Sequence, residues 1–335
     1  VKGAVAAYAI AAATAAVMLA GCGSALSAGS SGPANPSSPA VRTAAASPGP
    51  PYNVSGLLDP AQGKYFGLEA DGVPDSMTPV TTFAANIGKQ PNVLGQYVAW
   101  NAAFDANAVA NAWSHGALYY MAWEPFHTSV QSIADGGSDP YIMRFAHSVR
   151  ALNLPVALSF GHEMNGNWYP WGTTGTPAAT FVAAWRHIHD LFAKAGASNV
   201  IWVWNPNIVN PMPQVQLKPL YPGDSYVDWI GLTGYFPTTG PQTFASLFAP
   251  TMTEVRDFTA KPFIIAETSI ETGPAEAACA QSLVTAVEGQ SDVLGFIWFD
   301  FNKNGVDWRI ESRPDLRAAV ATDVAALRLV SPTGK

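Results

Sequence analysis

Glu163 and Glu267 each follow an apolar run, "VALSFGH" and "PFIIA". Such runs desolvate the base of a carboxyl group and fix its backbone. Around the first glutamate stand His162, Asn165, Asn167, Trp168, Tyr169 and Trp171, a polar and aromatic collection that does not suit the end of a purely structural strand. Two opposed carboxylates perform glycoside hydrolysis, in which a protonated acid faces the leaving oxygen and an ionised carboxylate faces the other side of the sugar. Glu69 and Glu124 are the competing carboxylates. Rival chemistries lack their residues. A zinc site of the H-E-x-x-H type needs a second histidine where Gly166 stands, and the remaining histidines have no ligand spacing. Neither a G-x-S-x-G elbow nor a phosphate-binding Gly-rich loop is present. No metal and no cofactor is expected.

These residues must be positioned by something. Eight short, nearly continuous apolar runs alternate with helical patterns: "KYFGLEA", "NVLGQYVAW", "ALYYMAWEP", "PVALSFGHE", "NVIWVWNPN", "VDWIGLTGY", "KPFIIAETS" and "VLGFIWFD". Runs of this kind are strands of a parallel sheet buried on both faces. Eight of them alternating with helices predict a (β/α)8 TIM barrel, an α/β fold. The rival doubly wound sheet usually carries G-x-G-x-x-G after its first strand, and here that strand ends "GLEADGVPDS". Active sites of the barrel lie where strands end. The expected ends are Glu69, Trp100 and Asn101, Trp123 and Glu124, His162 and Glu163, Trp204 and Asn205, Tyr235, Glu267, and Trp298 and Asp300. Acids ringed by aromatics suit a neutral, polyhydroxylated chain. Trp123, Trp168, Trp171 and Trp298 are the expected sugar-stacking rings. Trp202 and Trp204 share a strand face, and Trp204 is placed at the rim. Trp185, mid-helix, is expected to pack.

The formal net charge of −7 and a pI near 5.3 argue against nucleic acid. Lys2, an apolar run from Gly3 to Ala20 and "LAGC" at Leu19–Cys22 read as a lipoprotein-type signal over residues 1–22, with Cys22 the lipidated residue. Residues 23–51 are rich in Gly, Ser, Ala and Pro and read as a flexible linker, leaving 52–335 as one catalytic domain. The expected location is exported, as a cell-surface lipoprotein or a secreted protein, with membrane contact only through the lipid anchor, and the expected state is a monomer. Cys279 lies in a helical pattern and is expected to be a small buried hydrophobe.

Read together, "GHEMNGNWYPWG", "NVIWVWNPN", "LYPGDSYVDWIGLTGY", "KPFIIAETS" and "GFIWFDFNKNGVDWRI" occur in an order that resembles glycoside hydrolase family 26, largely endo-β-mannanases with some members acting on other β-glucans or xylans. The resemblance covers nearly the whole domain. It implies a (β/α)8 barrel, a retaining mechanism and no metal. It implies Glu163 as acid/base and Glu267 as nucleophile, with His162 and Trp168 lining the reacting sugar's subsite. Tyr235 would orient the nucleophile and Trp298 would form the sugar platform. Mannanases of the family commonly carry Arg four residues before the acid/base, where this chain has Ser159, so the choice of β-glycan is the open point. The expected activity is a retaining endo-β-glycosidase on a polysaccharide, foremost β-1,4-mannan. Alternatives are a β-glucanase or β-xylanase on the same scaffold, or a non-catalytic surface glycan-binding protein.

Overall fold

The computed structural model describes residues 49–60, 63–303 and 305–334. The 1–22 signal segment with Cys22, and residues 23–48 of the linker, lie outside the described residues.

All eight apolar runs form strands: β1 (Tyr65–Ala70), β2 (Val93–Ala99), β3 (Leu118–Glu124), β4 (Val156–Phe160), β5 (Val200–Trp204), β6 (Trp229–Thr233), β7 (Phe263–Thr268) and β8 (Val293–Asp300). They pair in parallel in sequence order, and β8 closes on β1. Helices α1 (Ser55–Leu58), α2 (Thr78–Ile87), α3 (Ala106–Ser114), α4 (Val130–Ala134), α5 (Asp139–Leu152), α6 (Ala178–Lys194), α7 (Phe244–Arg256), α8 (Glu276–Gly289) and α9 (Pro314–Ala325) complete the ring and its base. The fold is a (β/α)8 barrel.

Two apolar layers follow from the period-2 alternation of each strand. The inner layer holds Tyr65, Val93, Leu118, Tyr120, Ala122, Ala157, Ile201, Val203, Trp229, Ile264, Ala266 and Ile297. The alternate residues, among them Phe66, Leu68, Tyr119, Met121, Leu158 and Phe296, join the helices in the larger outer layer. Cys279 is buried in that outer layer, as is Trp185.

The N-terminal mouth of the barrel is plugged by α1. Leu57 packs on the inner layer, its carbonyl accepts a bond from the Tyr65 hydroxyl at 2.7 Å, and the Leu58 carbonyl accepts one from Trp229 Nε1 at 2.8 Å. Both bonds satisfy polar tips that the barrel interior would otherwise leave bare. The chain just before α1 is tied to the end of α5, where Asn153 accepts from the Tyr52 amide at 2.7 Å and donates to the Pro50 carbonyl at 3.1 Å. The opposite mouth is therefore the one left for chemistry. After β8 it carries a small hairpin of β9 (Asn302–Lys303) and β10 (Val306–Asp307) that the apolar pattern did not forecast.

Candidate active site

Glu163 lies just beyond β4, in a turn where both Gly161 (φ 57°) and Glu163 itself (φ 55°) take the left-handed conformation. For a residue with a Cβ this costs on the order of 1 kcal/mol and persists only where surroundings enforce it. Here the Glu163 amide donates to the Asn205 carbonyl at 2.7 Å, and its carbonyl accepts from the Gly166 amide at 2.9 Å. The side chain is held at both oxygens. Trp168 Nε1 donates to Oε2 at 2.7 Å, and Asn207 Nδ2 donates to Oε1. Asn207 is itself fixed by a reciprocal clasp with Asn165, at 2.8 and 2.9 Å. Gly166 is required at its position because a Cβ there would sit 2.4 Å from the Trp168 indole. Burial, and next the negative charge of Glu267, push the Glu163 carboxyl up to about 8, against the pull of its two donors.

Glu267 reaches the same mouth by a different device. Ile264 and Ala266 face the barrel interior, so unbroken alternation would turn Glu267 outward. The register instead slips: Gly231 pairs with Ile264, but Thr233 pairs with Glu267, which leaves one extra residue in β7. A bulge of this kind re-aims a side chain. The Glu267 carboxylate then accepts from the hydroxyls of Tyr97 on one oxygen and Tyr235 on the other. Burial raises the Glu267 pKa above the usual carboxylate value, and the Tyr235 and Tyr97 donors followed by the charge of Lys303 offset part of that rise. Burial and the neighbouring Glu267 charge keep both tyrosines neutral, hence able to donate.

Four more ionisable groups share this mouth. His162 is buried, with Nε2 3.3 Å from the Tyr169 hydroxyl and its ring 5.8 Å from that of Tyr97. Desolvation, assisted by Lys303, lowers its pKa to about 3, so it is a neutral imidazole. Glu124 is buried at the end of β3 and pushed up to about 8, chiefly by desolvation. Glu69, at the end of β1, bonds to Tyr97. The Lys303 ammonium lies among the rings of Phe301, Tyr97 and Phe299 at 4.6, 5.2 and 5.8 Å.

Of the residues singled out from sequence, Glu163, Glu267, His162, Trp168 and Tyr235 meet at this mouth. Trp123, Trp204 and Trp298 do not: the sugar stacking expected of Trp123 and Trp298 and the rim position expected of Trp204 are corrected. Each sits on the outward face of its strand. Trp123 stacks on Phe145 at 4.5 Å and bonds to the Tyr141 hydroxyl at 3.2 Å. Trp204 packs edge-on against Tyr221 and donates to the Leu220 carbonyl at 3.0 Å. Trp298 pairs with outward-facing Leu68 and is 1% exposed within the outer layer. Trp171, also expected to stack on sugar, is stacked on Tyr169 at 4.4 Å and donates to the His162 carbonyl at 2.7 Å. The aromatic wall beside the nucleophile position is instead Phe299, Phe301 and Trp308, with Trp308 4.9 Å from the Tyr235 ring. Tyr97 and Asn207 were missed from sequence. Counting by twos from Val93 puts Tyr97 on the inner face, so the signal for it was present. Asn207 lies past the end of its strand, where alternation gives no guidance.

Residues 140–278, which contain both glutamates, match Glycosyl hydrolase family 26. Endoglucanase H of Acetivibrio thermocellus is 32% identical over 272 residues, 76% of this chain and 30% of its own length. A mannan endo-1,4-β-mannosidase of Bacillus subtilis is 32% identical over 114 residues, 32% of this chain and 28% of its own. The chain thus spans less than a third of either relative. Among solved structures, the catalytic domain of a Bacillus sp. endo-β-1,4-mannanase superposes with a TM-score of 0.64 at 16% identity, covering 83% of this chain and 90% of that one. A modular endo-β-1,4-mannanase from Cellulomonas fimi superposes at 0.62 and 17% identity, covering 83% and 74%. These two establish likeness of fold. By the matched segment, the extended sequence similarity and the closed barrel, the chain is similar to glycosyl hydrolase family 26.

Proposed function

We propose that this barrel is a retaining endo-β-glycosidase that cuts β-1,4-mannan by double displacement. One observation carries the reading: two buried carboxyls share one barrel mouth, and the second is held at each oxygen by a tyrosine hydroxyl. Glu163 is pushed up to about 8 and holds a proton at neutral pH, while two tyrosine hydroxyls favour the ionised form of Glu267. Glu267 attacks the anomeric carbon as Glu163 passes its proton to the departing oxygen, and a glycosyl ester forms. Glu163, now a carboxylate steadied by Trp168 and Asn207, takes a proton from water, and that water's oxygen displaces Glu267. Retention requires the carboxyls to be about 5–5.5 Å apart, against about 6.5–9.5 Å for inversion. Trp168, partly exposed and bonded to the acid, is the ring placed to meet the reacting sugar.

Mannan is supported by the recurrence of mannan endo-1,4-β-mannosidases among the relatives. Ser159, buried on the inner face of β4, stands where mannanases of the family commonly have Arg, and one relative is named an endoglucanase. Incubation with β-1,4-mannan, mixed-linkage glucan and β-1,3-xylan, followed by product analysis, tests the reading. Manno-oligosaccharides are expected. Cleavage of mixed-linkage glucan alone would overturn the mannan assignment. Retained binding with no new reducing ends on any of the three would favour a glycan-binding protein. The "LAGC" sequence and the Gly/Ser/Ala/Pro-rich segment after it support export and a tether through a lipidated Cys22. Failure of a labelled fatty acid to enter the wild-type chain, or equal labelling of a Cys22→Ala variant, would refute that.

A further inference from the structure

Glu69 has no part in the two-carboxylate mechanism, yet it is 1% exposed and lies against the nucleophile's own hydrogen-bond donor. Tyr97 Oη is 3.1 Å from Glu69 Oε2 and also bonds Glu267 Oε2. A phenol has a single proton to give. If both carboxyls were ionised, one of these two contacts would set bare oxygens against each other. The proton count closes only if one carboxyl donates to Tyr97.

The surroundings decide which one. Glu267 has a hydroxyl donor on each oxygen, Tyr97 and Tyr235. Among the described residues Glu69 has only the Tyr97 hydrogen bond, and its Oε1 is buried with no partner there. An ionised Glu69 would leave a charged oxygen unsatisfied in the interior, whereas an ionised Glu267 is satisfied twice. We propose that Glu69 is a positioning residue for the nucleophile: as a neutral carboxylic acid it donates to Tyr97 Oη, and Tyr97 donates in turn to ionised Glu267. This rests on the assignment of Glu267 as nucleophile. Donors in a chain polarise one another, so the Glu69 proton strengthens the Tyr97–Glu267 bond.

The groups facing Glu69 pull in both directions. Tyr97 on β2 and Lys303 after β8 favour its ionised form, and Glu267 on β7 and Glu124 on β3 oppose it. Burial is the largest influence and also opposes ionisation, raising its pKa well above the carboxylate range. Tyr120 on β3 and Tyr235 after β6 also feel its charge. The space for this acid is built into the sheet, since a Cβ on Gly95 would lie 2.4 Å from Glu69 Cγ.

Two variants separate the roles. Glu69→Gln keeps a donor, its amide N–H, toward Tyr97. Glu69→Leu removes it. With Glu267 as nucleophile, the acid limb of kcat/KM reports its ionisation. Glu69→Leu is expected to lower kcat/KM about tenfold and move that limb to higher pH, because a weakened Tyr97 donor favours protonated Glu267. Glu69→Gln is expected to rescue most of that loss, with the limb in place. A limb displaced to lower pH in Glu69→Gln would mean that a negative charge had been removed, and would overturn the proposal. So would wild-type behaviour of Glu69→Leu. Infrared difference spectra of wild type minus Glu69→Gln at neutral pH test the protonation without turnover. Loss of a protonated carboxyl C=O band is expected, and loss of carboxylate bands instead would refute it. A wild-type protein inert on every β-glycan would sink the proposed activity, while the infrared result would still decide the state of Glu69.

Discussion

Replacing Trp168 with Phe keeps an aromatic ring over Gly166 and deletes one N–H, the 2.7 Å donor to Glu163 Oε2. That bond is strongest when Glu163 is ionised, so its loss favours the protonated acid and raises the pKa from its present value of about 8. A hydrogen bond to a charged group is worth about 1.5–3 kcal/mol, and one pKa unit corresponds to about 1.4 kcal/mol. The upper end would be two units. Trp168 is partly exposed, so water replaces some of the lost donation, and Asn207 still holds the other oxygen. A rise of about one unit follows. Because the protonated form of Glu163 is the competent one, activity should persist further into alkali. The assay is the pH profile of kcat/KM for wild type and Trp168→Phe. The descending limb should move from near pH 8 to about pH 9. A limb that stays in place would show that the indole does not hold the acid. A limb that moves to lower pH would show that the titrating group is not Glu163.

The buried acids also set a pH dependence of stability. Glu163 has a folded pKa above its unfolded value, so the native state binds the extra proton between about pH 4.5 and pH 8 and stability falls as pH rises through that window. Glu163→Gln should therefore melt higher than wild type at pH 8, by on the order of 5 °C, and with no difference near pH 4. Calorimetry at the two pH values checks this, and an equal or lower melting temperature at pH 8 would contradict it. At the other mouth, Leu57→Ala should cost about 2–4 kcal/mol by leaving a cavity under the inner layer. Denaturant titration reads that loss, and kcat at saturating substrate should be unchanged because the plug lies opposite the site.

The strands were legible because a barrel strand is covered on both faces, which writes a continuous apolar run at each of the eight positions. The glutamate pair was legible from its place at the ends of two such runs. Faces were harder. Trp123, Trp204 and Trp298 were placed at the rim from their nearness to strand ends, but a strand end has two sides, and the outer side packs against helices. Counting by twos along β3 and β5 would have sent Trp123 and Trp204 outward. The same count fails for Glu267, because the extra residue in β7 reverses the face and nothing in "PFIIAET" announces a bulge. Tyr97 was passed over because its bond to Glu267 joins β2 to β7, a contact that only barrel closure creates.

The central claim is that Glu267, among four buried glutamates at one mouth, forms the covalent bond to sugar. Incubating the protein with a 2-deoxy-2-fluoro β-mannoside bearing a good leaving group, then mapping the adduct by peptide mass spectrometry, tests it most directly. The account predicts one sugar per chain, on Glu267. A label on Glu69, Glu124 or Glu163, or turnover of the reagent with no adduct and inverted product, would contradict it.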